Sequence, residues 1–304
     1  MSNIAVVALY KFVSLPNYKL IRNPLLEFCK TNKIKGTLLL AHEGINGTIS
    51  GPKENIEQVI NYLKNIPELA DLDYKTSYTD SYPFLRMKVK LKKEIVTMGV
   101  PSIDPNKVVG QHLNSQEWNE LIQDPDTILI DTRNPYETDI GTFKNAICPD
   151  ITNFRDFPEY FRKHFADKKD KKIAMFCTGG IRCEKSTSFA LEEGYPEVYH
   201  LKGGILKYLE ETPEAESLWQ GDCFVFDERV AVNHKLEKSI YDQCHGCRHP
   251  ITQEDMQSPL YKRGVHCHLC YNKFDAEHYN RAAERQYQMD LAKHRGQVHL
   301  GESR

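Results

Sequence analysis

The chain has 304 residues, 40% of them hydrophobic and 27% charged, with a formal net charge of -2. That length holds two or three domains with their own cores, and the composition excludes a disordered or fibrous chain. No run approaches the roughly 20 apolar residues of a membrane span and residues 1–20 lack a signal-peptide pattern, so a cytoplasmic protein without a membrane partner is expected.

In chain order, residues 1–98 read as one small α/β unit. Ile4 to Leu9 is an apolar strand, Tyr18 to Lys30 a helix, Gly36 to Ala41 and Gly47 to Ser50 two strands with Asn46-Gly47 as the hairpin signal between them. Glu54 to Leu63 places Ile56, Val59, Ile60 and Leu63 on one helical face. Leu85 to Val96 alternates: Leu85, Met87, Val89 and Leu91 face one way, Arg86, Lys88, Lys90 and Lys92 the other. The order βαββαβ is that of a ferredoxin-like sandwich. This unit is basic, with 14 Lys+Arg against 9 Asp+Glu in residues 1–100. Its basic strand face is either merely solvated or a phosphate-tracking stripe. The hairpin His42, Glu43, Asn46 is either turn chemistry or a binding loop.

Residues 99–111, with Pro101, Pro105 and Gly110, read as a linker. From 112 to 218 strands and helices alternate. Ser115 is expected to cap a helix, and Thr127 to Ile130 is a buried strand running into Asp131, Arg133 and Glu137 at the sheet edge where α/β active sites lie. A second buried strand, Ile173 to Phe176, delivers Cys177; Thr178, Gly179, Gly180, Ile181 and Arg182 follow and lead into a helix. Strand, glycine loop and helix start surround one sulfur with N–H groups, an arrangement that lowers a thiol pKa from about 8.5 to about 4–7 and makes a nucleophile. Cys183 is either a resolving thiol or a small core residue.

Residues 219–304 form a Cys-rich extension. Cys244-x2-Cys247, nineteen residues, then Cys267-x2-Cys270 matches a zinc ribbon, a closed structural site with no open position. With nine cysteines in total, several of them in close pairs, metal and catalytic uses are favoured over a disulfide framework. A polar helix is expected from Asp275 to Arg295.

Asp131-Thr132-Arg133 with Glu137, the loop Cys177 to Arg182, and Leu201-Lys202-Gly203-Gly204 together resemble a rhodanese domain. The resemblance implies that Cys177 carries a persulfide held by the loop N–H groups. Four residues separate Cys177 from Arg182, where related phosphatases of this fold have five, and the shorter ring suits a sulfane sulfur. Gly141-Thr142-Phe143-Lys144-Asn145-Ala146 departs from the common Gly-His-Ile-x-Gly-Ala pattern.

The whole chain resembles the bacterial tRNA uridine hydroxylases of the rhodanese superfamily, the TrhO family. Ala41 to Thr48, Arg86 to Lys90, Glu94 to Thr97, Cys177 to Lys185 and the paired C-terminal cysteines carry that likeness. It implies an acylphosphatase-like first domain and hydroxylation of the tRNA wobble uridine, U34, to 5-hydroxyuridine with molecular oxygen as co-substrate. Cys177 would be essential and Asp131, Arg133 and Glu137 would brace it. The basic face would hold the anticodon stem-loop, with U34 flipped from the stack. No nucleotide-cofactor motif is seen, and no two-His-one-carboxylate iron site stands out. Two other classes stay open: a thiosulfate or persulfide sulfurtransferase, and a non-catalytic RNA-binding scaffold.

Overall fold

A computed structural model describes residues 4–296. The first unit runs β1 (Ile4–Phe12), α1 (Tyr18–Thr31), β2 (Lys35–Ala41), β3 (Gly44–Pro52), α2 (Lys53–Lys64), β4 (Tyr74–Thr79) and β5 (Met87–Leu91). Its sheet has the order β4-β1-β3-β2-β5, antiparallel except for the β2–β5 pair. Alternate strand residues such as Val7, Leu38 and Ile49 meet Leu25, Val59 and Leu63 of the helices in one core. The opposite sheet face is left for the rest of the molecule.

Two expectations shift here. Asn46-Gly47 lies inside β3, and the chain turns at His42-Glu43 instead. Gly47 serves close packing rather than a turn: a Cβ there would stand 2.1 Å from the Thr37 carbonyl. The fourth strand of the sandwich is β4, while the basic segment is shorter than expected and adds a fifth strand at the far edge. β4 carries no fully buried side chain, so its sequence Tyr-Lys-Thr-Ser-Tyr-Thr shows no apolar period.

The central unit runs β6 (Gln111–Leu113), α3 (Ser115–Ile122), β7 (Thr127–Asp131), α4 (Pro135–Thr138), β8 (Gly141–Phe143), α5 (Phe157–Phe165), β9 (Lys172–Phe176), α6 (Ile181–Glu192), β10 (Val198–Leu201) and α7 (Gly204–Glu211). Four strands pair in parallel in the order β6-β10-β9-β7. From Ile173 onward β9 is apolar because it is covered on both faces. Ile173 and Met175 enter the core of α5 and α6; Ala174 and Phe176 enter that of α3 and α7. Asn114, not Ser115, caps α3: its side chain accepts from the N–H groups of Gln116 and Glu117, and Glu117 accepts from the Asn114 N–H.

The segment between the units is docked, with Met98 and Ile103 buried in the core beneath α5 and α6. The chain beyond 218 also begins on the central unit. There β11 (Trp219–Gly221) pairs with β8, and Cys223 and Val232 of the hairpin β12 (Cys223–Phe224) and β13 (Ala231–Val232) extend the core of α3 and α7. The four spaced cysteines then form a separate small core with Ile251, beside β14 (Asp242–Gln243) and β15 (Pro250–Ile251). Asp275 caps the final helix, α8 (Ala276–His294), by accepting from the His278 N–H. Among the described residues, no helix is long and apolar enough to cross a membrane.

Candidate functional site

Cys177 follows the last residue of β9, and α6 starts four residues later, so the sulfur sits in the cradle expected of the loop. The Gly180 N–H donates to its Sγ at 3.1 Å. Gly180 has φ 98°, and a Cβ there would stand 2.9 Å from the Tyr10 hydroxyl, so only glycine fits between this loop and the first sheet. Burial pushes the Cys177 thiol up. A hydrogen bond from Cys183, the Arg182 charge and the N–H groups of Arg182 and Cys183 outweigh it, and the thiol comes down to about 5. Cys183 moves the other way: burial, then its neighbour Cys177, raise it well above the ordinary range. At neutral pH the pair is a thiolate beside a thiol.

Of Asp131, Arg133 and Glu137, it is Glu137 that touches the loop, while Arg133 pairs with Asp131 and donates to the Glu137 carbonyl behind it. The fully buried Arg133 grips Asp131 at 2.7 and 2.9 Å and donates to the Gly141 carbonyl at 2.6 Å. Glu137, also buried, receives both terminal nitrogens of Arg182 at 2.7 Å and the Thr178 hydroxyl at 3.3 Å. Burial raises the Glu137 carboxyl, but Arg182 and Arg133 prevail and hold it below the usual carboxylate range. Arg182 is thereby fixed beside the thiolate without competing for it as a hydrogen-bond donor.

Two residues without any sequence signal complete the site. Lys75, delivered by β4, donates its Nζ to the Gly179 carbonyl at 2.8 Å; burial lowers its pKa, with Cys177 acting in the opposite sense. Tyr10 of β1 donates to Glu184 of α6 at 3.0 Å. Both lie on the sheet face turned away from α1 and α2, which the apolar pattern marks only as the non-core side.

That face and the loop enclose a cleft of about 490 Å³. Val6, Ala8 and Leu39 line it from the first sheet, Cys177 and Ile181 from the loop, and Phe226 from the C-terminal chain. Arg229, paired with Asp227, ties this third wall to β4 by donating to Ser77 at 2.9 Å. Lys88 and Lys90 stand in register with Thr37 and Leu39, both cleft-lining, so the basic stripe is on the cleft side of the sheet. Arg86, Lys90 and Lys92 are exposed; burial, then Arg86 and Lys90, lowers the Lys88 ammonium. The hairpin residues divide. His42 is exposed, Asn46 lines the cleft and donates to the Ile95 carbonyl, and Glu43 pairs with Lys185 of α6 at 2.8 Å. Glu94 takes the same buried amine at 2.7 Å, clasping the two units together.

The four C-terminal cysteines converge as their spacing implied. Their sulfurs lie within 4.8 Å of one another, with Cys244–Cys270 and Cys247–Cys267 each at 3.8 Å. Four sulfurs about 2.3 Å from a central zinc would be separated by about 3.8 Å along a tetrahedron edge, so Cys244, Cys247, Cys267 and Cys270 fit such an ion. The segment's buried core is little more than these cysteines and Ile251, so a metal held there would be the main source of its stability.

Comparison with known proteins follows the same division. Residues 4–95 match the UPF0176 acylphosphatase like domain and residues 114–211 match the Rhodanese-like domain. A solved protein of unknown function from Rhodopseudomonas palustris CGA009, titled a possible tyrosine phosphatase, is 21% identical. The match covers 36% of this chain and 86% of that one at a TM-score of 0.31. A rhodanese-related protein from Thermoplasma volcanium is 24% identical over 33% of this chain and 92% of its own, with a TM-score of 0.27. An acylphosphatase from Coxiella burnetii is 12% identical over 29% and 94%, with a TM-score of 0.24. The chain thus joins a UPF0176 acylphosphatase-like domain, a rhodanese-like domain and a cluster of four cysteines.

Proposed function

We propose that the protein hydroxylates uridine 34 of tRNA to 5-hydroxyuridine in the cytoplasm, with Cys177 as the essential nucleophile. The observation that carries this reading is the position of the Cys177 thiolate. It faces a cleft large enough for a nucleobase, and the basic stripe of Lys88 and Lys90 shares the sheet face that walls it. A flipped uracil entering the cleft meets the exposed Phe226 ring as a stacking surface, while the stripe and Arg86 take the flanking phosphates. Arg182 and the loop N–H groups hold the sulfur ionised, and Cys183 keeps a proton beside it. In the overall reaction the C5–H of uracil becomes C5–OH. One atom of molecular oxygen enters the base and the other leaves as water, with two electrons supplied by a cellular thiol reductant.

The test is nucleoside mass spectrometry of tRNA from cells lacking the protein, complemented with wild type or Cys177→Ser. Loss of 5-hydroxyuridine-derived nucleosides, restored by wild type alone, is expected. Full restoration by Cys177→Ser overturns the reading. The six-residue loop favours one second reading, a sulfurtransferase acting through a Cys177 persulfide. That activity would release sulfite from thiosulfate with saturable turnover and leave the tRNA profile unchanged.

A further inference from the structure

His112, Glu184 and His200 are scattered along the sequence, and the fold brings them together. β6 and β10 pair with His112 directly opposite His200, their ring centres 3.9 Å apart and tilted by 49°. The first turn of α6 lays Glu184 beside them, with its Oε1 3.1 Å from His112 Nε2. One ligand atom from each of the three lies within 4.8 Å of the others. His200 is 1% exposed, yet neither ring nitrogen has a hydrogen-bond partner; the Gly110 backbone lies near the ring but outside hydrogen-bond geometry. A buried imidazole left unpartnered calls for an explanation, and an ordinary ion pair between His112 and Glu184 does not supply one.

We propose that His112, Glu184 and His200 form a binding site for one divalent first-row transition-metal ion. Two imidazoles and one carboxylate suit iron(II), cobalt(II) or zinc better than calcium, which takes oxygen ligands, or copper(I), which takes sulfur. Three protein ligands leave coordination positions open, unlike the closed set of four cysteines. The surroundings are those of a metal site. The Tyr10 hydroxyl donates to Glu184 and fixes the carboxylate, as outer partners of metal ligands do. His112, 39% exposed, provides the entrance from solvent. Tyr10 also lines the cleft, so the ion would lie one hydrogen bond away from the wall that faces Cys177. The site rests on this geometry alone and holds whether or not the protein acts on tRNA.

The experiment uses the full chain with its cysteine cluster loaded with zinc. Exchangeable metal is removed by brief chelation, cobalt(II) is titrated in without oxygen, and bound zinc and cobalt are counted by elemental analysis. Wild type should take up one cobalt in addition to its zinc, without the intense thiolate charge-transfer band that cobalt at the cysteines would show. His112→Ala, His200→Ala and Glu184→Gln should each weaken cobalt binding by more than about tenfold and leave the zinc in place. His112 is partly exposed, so His112→Ala keeps the test decisive if the buried His200→Ala fails to fold. Wild type binding no cobalt beyond the cysteine site, or folded His112→Ala binding as tightly as wild type, overturns the proposal.

Discussion

Cys177 and the C-terminal cysteines both place sulfur in a tight turn, but what surrounds each differs. Around Cys177 the neighbours are donors and a cation: the Gly180 N–H, the Cys183 thiol and an Arg182 already neutralised by Glu137. One sulfur carries the charge and one side opens on the cleft. At the other site four sulfurs face one another within 4.8 Å. The first arrangement preserves a nucleophile, and the second would commit its thiolates as ligands to a metal ion. Proximity of cysteines therefore says little about reactivity. The number of sulfurs and the source of the compensating charge decide it.

The largest expected effect comes from breaking the second arrangement. Cys267→Ser, or strong chelation, removes a term on the order of 10–16 kcal/mol for a structural zinc and should unfold the segment around it. Limited proteolysis should then cut between Arg248 and Asp275, while alkylation of Cys177 keeps its wild-type rate. A protease-resistant segment after metal removal would show that the cysteines stabilise it unaided.

Glu137→Gln tests the other side. It leaves Arg182 buried without its partner, which costs about 3–5 kcal/mol. Urea unfolding of the central unit should shift to lower concentration, with the zinc count unchanged.

The pH dependence of Cys177 sharpens the contrast. Its folded pKa is lowered from an ordinary 9.0 to about 5. A depressed acid contributes stability that is fully present above the unfolded value and is lost as pH falls through the folded one. Cys177→Ser should therefore destabilise more at pH 9 than at pH 5, as read from urea midpoints. Alkylation of wild type should stay flat from pH 8 downward and fall only near about 5. A rate rising through pH 8 to 9 would mean that the loop does not hold a thiolate.

The smallest effect belongs to Lys75→Met. It removes one hydrogen bond to the Gly179 carbonyl and should cost about 0.5–1.5 kcal/mol, without altering metal at the cysteine cluster.

The sequence disclosed what is local. The strand, loop and helix around Cys177 are contiguous, and so are the paired cysteines, whose spacing alone implied their convergence. The lysine stripe was visible because a strand alternates with period two. Lys75 and Tyr10 were invisible for the converse reason: each reaches the loop through sheet register and domain docking, which leave no mark on neighbouring residues. The same holds for His112, Glu184 and His200, drawn from two strands and a helix. Asn46-Gly47 misled because a pair typical of turns serves here to let β2 and β3 approach closely.

Lys185 has a consequence for how this protein can change over generations. Its amine is buried on the helix that begins at the Cys177 loop, yet both carboxylates that neutralise it, Glu43 and Glu94, come from the preceding part of the chain. Grafted onto a foreign neighbour, the rhodanese domain would carry a stranded cation beside its own reactive loop. Recombination can therefore shuffle the two halves only as a pair, and a mutation on either side of the clasp must be answered on the other.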